Sequence, residues 1–357
     1  MRIARFLLRH PVQRRFSTSL VFICCVPLAA LIIPSAWLLG SCTRLRRPDR
    51  GRLSRFAAFA GVYFAVELTG IASVALYWIG PGRLGLGPAD RDAFQARHYE
   101  LLRRLLERLF RAAHRDFEVR VKPPAIGSFV PRGPLIVLSR HAGPGDSFLL
   151  AYALLATVRR HPRFVLSEAL TLDPFIGTVL RRTPNCFVGL DEERRHRSIG
   201  RIAELAHGLG VDDALVIFPE GRNFTSARRA RLIERLRRRR TWRQLPVARS
   251  LEHVLPPRGS GVFAAVDAAP NETHVVFVAH TGLDHIESAR DAWRSVPLTA
   301  RLEMTWWSVP IRDIPADPAR REEWLGLQWS QVDSWIGLHG PESQPDTTES
   351  APTSLTP

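Results

Sequence analysis

In the stretch Ser139-Arg-His-Ala-Gly-Pro-Gly-Asp-Ser147 a histidine and an aspartate, His141 and Asp146, stand five positions apart. An imidazole with one nitrogen bonded to a carboxylate is fixed in its tautomer, and its other nitrogen is left as a base. Such a pair suits removal of a proton from an alcohol. The intervening glycines let the backbone turn tightly enough for the two side chains to meet. The same residues also fit a plainer arrangement, an aspartate capping a helix and a polar histidine in a loop, since Asp is a common N-cap. A second conspicuous stretch lies downstream, where the apolar run Leu215-Val-Ile-Phe-Pro-Glu-Gly221 leads into Arg222-Asn-Phe-Thr225.

These residues need elements to hold them. Leu135 to Leu138, Ala214 to Phe218 and His274 to Ala279 read as buried strands, and Phe148 to Val158 reads as a helix. Apolar runs alternating with helical patterns predict an α/β domain, a mostly parallel sheet flanked by helices. His141 then follows a strand and Asp146 precedes a helix, which is where such sheets gather ligands. Upstream, Arg91 to His114 carries leucines at helical spacing with arginines between them. That pattern fits a helix in the headgroup region of a membrane or one packed on its own domain.

The His-x-x-x-x-Asp block followed by Phe218-Pro219-Glu220-Gly221 resembles the glycerolipid acyltransferase family, whose best-known members acylate lysophosphatidic acid. Phe224-Thr225, Leu255-Pro-Pro-Arg-Gly-Ser-Gly-Val-Phe263, Ile314-Pro-Ala-Asp317, Trp324-Leu325 and Asp333 resemble its eukaryotic-type branch, so the resemblance runs from Leu135 to Asp333. It implies a fatty acyl group moved from acyl-CoA or acyl carrier protein to the free hydroxyl of lysophosphatidic acid or a related lysophospholipid. The thioester is a co-substrate, and no cofactor is implied. By the same resemblance His141 is the general base, Asp146 orients it, Glu220 and Gly221 shape the acceptor pocket, and Phe218 and Pro219 support the turn. Attack on the thioester is direct, without an acyl-enzyme. Cys186 and Ser147 are the alternative acyl carriers, but no base is paired with either.

The chain departs from the family pattern twice. Gly221-Arg222-Asn223 stands where the family has Gly-Thr-Arg, and Asn185 to Asp191 lacks an expected arginine, the nearest being Arg194 and Arg195. Arg222 and Arg194 become the candidates for the acceptor's phosphate, which a guanidinium matches in geometry. Otherwise the acceptor is a different lysophospholipid.

Charge and hydropathy place this chemistry at a membrane. The 357 residues carry a formal charge of +16, and Lys122 is the only lysine. Anionic lipid, a phosphorylated co-substrate and nucleic acid all attract such a chain. Nucleic acid is set aside, because no recognition motif accompanies the nine arginines between Arg228 and Arg243. That tract fits a phosphate-binding surface or a solvated helix. Phe16 to Thr43 has no charged side chain and Phe56 to Gly82 has one, Glu67; each is long enough to cross a bilayer. Six arginines between Arg44 and Arg55 disfavour two full crossings and favour a re-entrant hairpin with its flanks in the cytosol. A signal peptide ending near Leu39-Gly-Ser-Cys42 is the third reading.

The expected organisation is a basic N-terminus and membrane hairpin or transmembrane pair over residues 1–83, a catalytic domain over 84–338 and a disordered tail over 339–357. The catalytic domain is expected on the cytoplasmic side of the cell membrane, in contact with phospholipid. His274, His280 and His285 read as polar strand and loop residues. The alternative function is a catalytically silent, basic, membrane-anchored lipid-binding protein.

Overall fold

The computed structural model describes residues 26–42, 51–79, 88–122, 131–143, 145–189, 192–238, 245–282, 284, 286, 289–298 and 301–340. The basic N-terminal tail, most of the arginine-rich loop, the 81–87 linker and the expected disordered tail beyond Gly340 lie outside these residues.

A seven-stranded sheet forms the centre, in the order β1-β7-β6-β2-β5-β3-β4. Its strands are β1 (Arg120–Lys122), β2 (Leu135–Ser139), β3 (His161–Ser167), β4 (Cys186–Val188), β5 (Asp213–Ile217), β6 (His274–Thr281) and β7 (Arg301–Pro310). β6, β2, β5, β3 and β4 run parallel, as the alternating pattern predicts. β7 turns antiparallel against β6, and β1 follows β7.

The central strands β2, β5 and β6 are largely apolar because both faces are covered. Ile136, Leu138, Leu215, Ile217, Val275 and Phe277 enter one core, while Leu135, Val137, Ala214, Val216, Val276 and Val278 enter the other. Alternation along each strand sorts them. The first core is closed by helices Glu192–His207, Gly259–Ala268 and Pro318–His339. The last of these is capped by Asp317, whose carboxylate accepts from the Arg320 amide at 2.9 Å, with Pro318 in its first turn. Its buried stripe of Leu325, Trp329, Val332 and Ile336 has helical spacing. The second core is closed by Pro88–Phe117, longer at both ends than the sequence pattern implied, and by Asp146–Tyr152, which loosens into a π-helical turn at Ala153–Thr157.

In chain order the α-helices are α1 (Val26–Cys42), α2 (Arg52–Ile79), α3 (Pro88–Phe117), α4 (Asp146–Tyr152), α5 (Pro174–Arg182), α6 (Glu192–His207), α7 (Ser226–Arg238), α8 (Leu245–Ser250), α9 (Gly259–Ala268), α10 (Ala289–Ser295) and α11 (Pro318–His339). α1 and α2 form an antiparallel pair, because Gly40 packs on the Ser54 backbone and Gly61 faces Ile33. By length and composition α2 alone, among the described residues, is long and apolar enough to cross a membrane.

One flank of α2 is docked on the domain. Its Arg52 donates to the Val296 carbonyl at 3.0 Å and its Arg55 to the Asp116 carbonyl at 2.9 Å. Glu67 is buried there and accepts from the Phe175 amide at 3.2 Å. The isolated charge in this apolar run is therefore spent on the start of α5.

Candidate active site

β2 and β5 are neighbouring parallel strands, so the residues that follow them emerge side by side. His141 comes two residues after β2, and Phe218-Pro219-Glu220-Gly221 comes directly after β5. The chain reverses between His141 and α4, and Asp146 is the first residue of that helix. Gly145, not Asp146, occupies the N-cap position and makes no side-chain cap. The Asp146 carboxylate turns back, and its Oδ2 accepts from the Gly143 amide at 2.7 Å and lies 3.3 Å from His141 Nδ1. The plain capping alternative is thereby excluded. Asp146 has a fully buried side chain and His141 is about one-fifth exposed, at 0% and 21%. The solvent-accessible face thus belongs to the histidine, and its carboxylate partner is sealed beneath it.

The turn after β5 wraps around the same histidine. The Phe218 ring lies 4.7 Å from the His141 ring, and the His141 carbonyl accepts from the Phe224 amide at 2.5 Å. The Gly221 amide closes the turn on the Phe218 carbonyl at 3.0 Å, and Gly221 takes a φ of +67°, a conformation that favours glycine. Glu220 is buried, and both its oxygens are occupied: Oε1 by the His141 amide and Oε2 by the Leu255 amide, each at 2.8 Å. Its carboxylate ties three segments together. Burial pushes the Glu220 carboxyl up to about 8, against the pull of those two amides.

The Leu255 segment is held from the other side by α11. Asp333 accepts from the amides of Glu252, His253 and Val254 at 2.7 to 3.1 Å, and Trp329 Nε1 donates to the Leu255 carbonyl at 3.0 Å. Four consecutive backbone amides thus converge on two buried carboxylates. Next in the chain, the Arg258 amide donates to the Pro219 carbonyl at 3.0 Å. The Arg258 guanidinium covers Gly221, where an added Cβ would stand 3.3 Å from Nη1. Arg222 is exposed on the same turn. The side chains of Arg194 and Arg195 lie outside the described residues, their backbone falling in α6.

Beneath the pair sits a buried polar layer. Arg140, 1% exposed, donates through Nη1 to the His280 carbonyl at 2.8 Å and pairs with Asp284 at 2.5 Å. Burial alone would raise the Asp146 carboxyl, but His280, His141 and the Gly143 amide together outweigh it and hold it below its usual range. Burial lowers His280 from the ordinary imidazole range, against the attraction of Asp146. At Asp284 burial is outweighed by Arg140, and its carboxyl is lowered. Cys186, an alternative acyl carrier, is buried on β4, and burial raises its thiol. A buried thiol kept protonated is a poor nucleophile.

The pair and the turn were legible as motifs; Arg140, His280, Asp284 and the bracing role of Glu220 were not. One signal was available for His280, its even spacing from Val276 and Val278, which sets it on the α4 face of β6.

A histidine bonded to a buried aspartate at the carboxyl ends of parallel strands has the geometry that removing a proton from a hydroxyl requires. Residues 123–281 match the family model described as Acyltransferase. Among solved structures, the 1-acyl-sn-glycerophosphate (LPA) acyltransferase PlsC from Thermotoga maritima superposes with a TM-score of 0.45 at 14% identity, covering 76% of this chain and 95% of its own. No curated protein matches the chain in sequence.

Proposed function

We propose that the protein transfers a fatty acyl group from an acyl thioester, acyl-CoA or acyl carrier protein, to the free hydroxyl of lysophosphatidic acid or a related lysophospholipid. The observation that carries this reading is the bond from His141 Nδ1 to the buried Asp146, within residues that match an acyltransferase family model. With Nδ1 engaged, Nε2 takes the proton of the acceptor hydroxyl. The oxygen attacks the thioester carbonyl carbon, and the tetrahedral intermediate expels the thiolate. The imidazolium returns its proton to that sulfur. Every bond broken is balanced by one formed, and no covalent enzyme intermediate is required.

Two features favour a phosphorylated, membrane-borne acceptor. Arg222 and the Arg258 guanidinium stand at the turn that encloses His141, and guanidinium pairs grip phosphate well. On the N-terminal pair, Leu28, Leu31, Ile32, Trp37, Leu38 and Leu39 are all exposed. An apolar surface of that kind fits a lipid phase. With the arginine-rich flanks, it supports a catalytic domain on the cytoplasmic side of the cell membrane.

The test is a thiol-release assay on purified protein in detergent, with intact-mass measurement in parallel. The expected result is thiol release only when lysophosphatidic acid is present, with phosphatidic acid as product and no acylated protein. Thiol release without any acceptor, or an acyl adduct on the protein, would overturn it. Lipid binding without turnover across a broad acceptor panel would identify the silent binding protein instead.

A further inference from the structure

β2 and β6 are bonded in parallel as far as Ser139 opposite Val278, and there the two chains part. β2 enters the turn that carries His141, while β6 continues to His280 and Thr281. Side chains take over where the ladder stops. The Arg140 guanidinium donates to the His280 carbonyl at 2.8 Å, and His280 Nε2 lies 3.4 Å from the Arg140 carbonyl. A carbonyl oxygen only accepts, so in this contact Nε2 carries the hydrogen.

That carbonyl has a particular place in the site. It belongs to the same peptide unit as the His141 amide, and a peptide unit is planar and stiff. The amide edge is fixed by Glu220 Oε1 at 2.8 Å, and the carbonyl edge accepts from Ser139 Oγ at 3.2 Å and faces His280 Nε2 at 3.4 Å. The plane from which His141 projects is thus held on both edges by buried side chains. The charged and titratable groups around His280 are Arg140 and Asp284, which pair with each other, and Asp146.

We infer that His280 is a positioning residue for the His141–Asp146 pair, setting through its Nε2 bond to the Arg140 carbonyl the peptide from which His141 reaches Asp146. It touches no substrate. Its predicted effect on turnover rests on the acyl-transfer reading, whereas its effect on His141 does not.

The geometry selects the variants. Glutamine places an amide N–H near the position of Nε2, asparagine is one bond too short, and leucine has no donor. Each is compared with wild type in two measurements: acceptor-dependent kcat and KM, and the tautomer of His141 from long-range nitrogen–proton spectra of histidine-labelled protein in detergent.

The expected outcome for His280→Asn and His280→Leu is a kcat lower by about 10- to 100-fold, the range for a lost outer partner, with KM for the acceptor unchanged and a mixed His141 tautomer. His280→Gln retains most of kcat and the wild-type tautomer. Equal behaviour of the Gln and Asn variants, whether both intact or both impaired, would overturn the inference, since bond reach would then be irrelevant. Should wild type show no acceptor-dependent turnover, the acyl-transfer reading falls, and the tautomer comparison still decides the role of His280.

Discussion

At the carboxyl ends of β2, β5 and β6, backbone and side chains are bound to one another from all sides: Glu220 joins the His141 and Leu255 amides, and Asp333 gathers three more. Along α1 and the open flank of α2 the arrangement is reversed, with Leu31 at 70% and Leu76 at 68% exposure. The first region spends buried charge on holding one histidine in place. The second leaves apolar surface uncovered and is fastened to the domain along one flank, by contacts such as Arg52 to Val296 and Glu67 to Phe175. The contrast separates two tasks, chemistry and placement, and implies that substitutions in one region leave the other's task largely intact.

The sharpest break is expected at Asp146. Asp146→Asn keeps an acceptor for the Gly143 amide but no longer selects the His141 tautomer, so kcat should fall about 10³-fold or more. Thermal unfolding of the variant should stay close to wild type, and a large loss of stability with residual kcat would assign Asp146 a structural role instead.

Glu220→Gln is expected to disturb the same region through stability. Above about pH 8, where the wild-type carboxylate accepts with both oxygens, an amide cannot do so, and one of the two backbone N–H groups is stranded, at about 1–3 kcal/mol. The pH dependence has a definite sign. The folded-state value near 8 lies above the usual 4.5, so the contribution of Glu220 is fully present below about pH 4.5 and lost as pH rises through about 8. Unfolding temperatures between pH 5 and 9 should decline in wild type, and this component should vanish in the variant. Parallel curves would show that Glu220 titrates elsewhere.

In the placement region, Gly70→Ala sets a Cβ 2.3 Å from the Phe175 ring and should loosen α2 from α5, at about 1–3 kcal/mol for overpacking. Turnover of a short-chain, water-soluble acceptor should survive. A collapse of that activity would tie the two regions together. The smallest effect on the protein itself is expected for Leu31→Ser and Leu39→Ser, which should leave unfolding unchanged and weaken binding to phospholipid vesicles by about tenfold each. A lower unfolding temperature with unchanged vesicle binding would mean that these leucines pack inside an assembly.

Local features carried much of this architecture. β2, β5 and β6 were readable because strands buried on both faces are continuous apolar runs, and His141 with Asp146 because one tight turn joins them. The bonds of Glu220 to backbone amides were hidden for a reason of distance in sequence. Its partners are 79 and 35 residues away, and nothing in Phe-Pro-Glu-Gly distinguishes a carboxylate facing a pocket from one spent on amides. Arg140 and His280, 140 residues apart, looked like ordinary loop and strand residues for the same reason. The short strands β1 and β4 escaped because three residues show no period. The partner of Glu67, the Phe175 amide, lies 108 residues away and was hidden by that distance.

The most direct measurement is acceptor-dependent thiol release from acyl-CoA by wild type and by His141→Ala, with unfolding curves confirming that both are folded. The account predicts a loss of about 10³-fold or more in kcat for the variant, the scale of a removed general base, at an unchanged unfolding temperature. A folded His141→Ala protein that retains its turnover within a few-fold would contradict it.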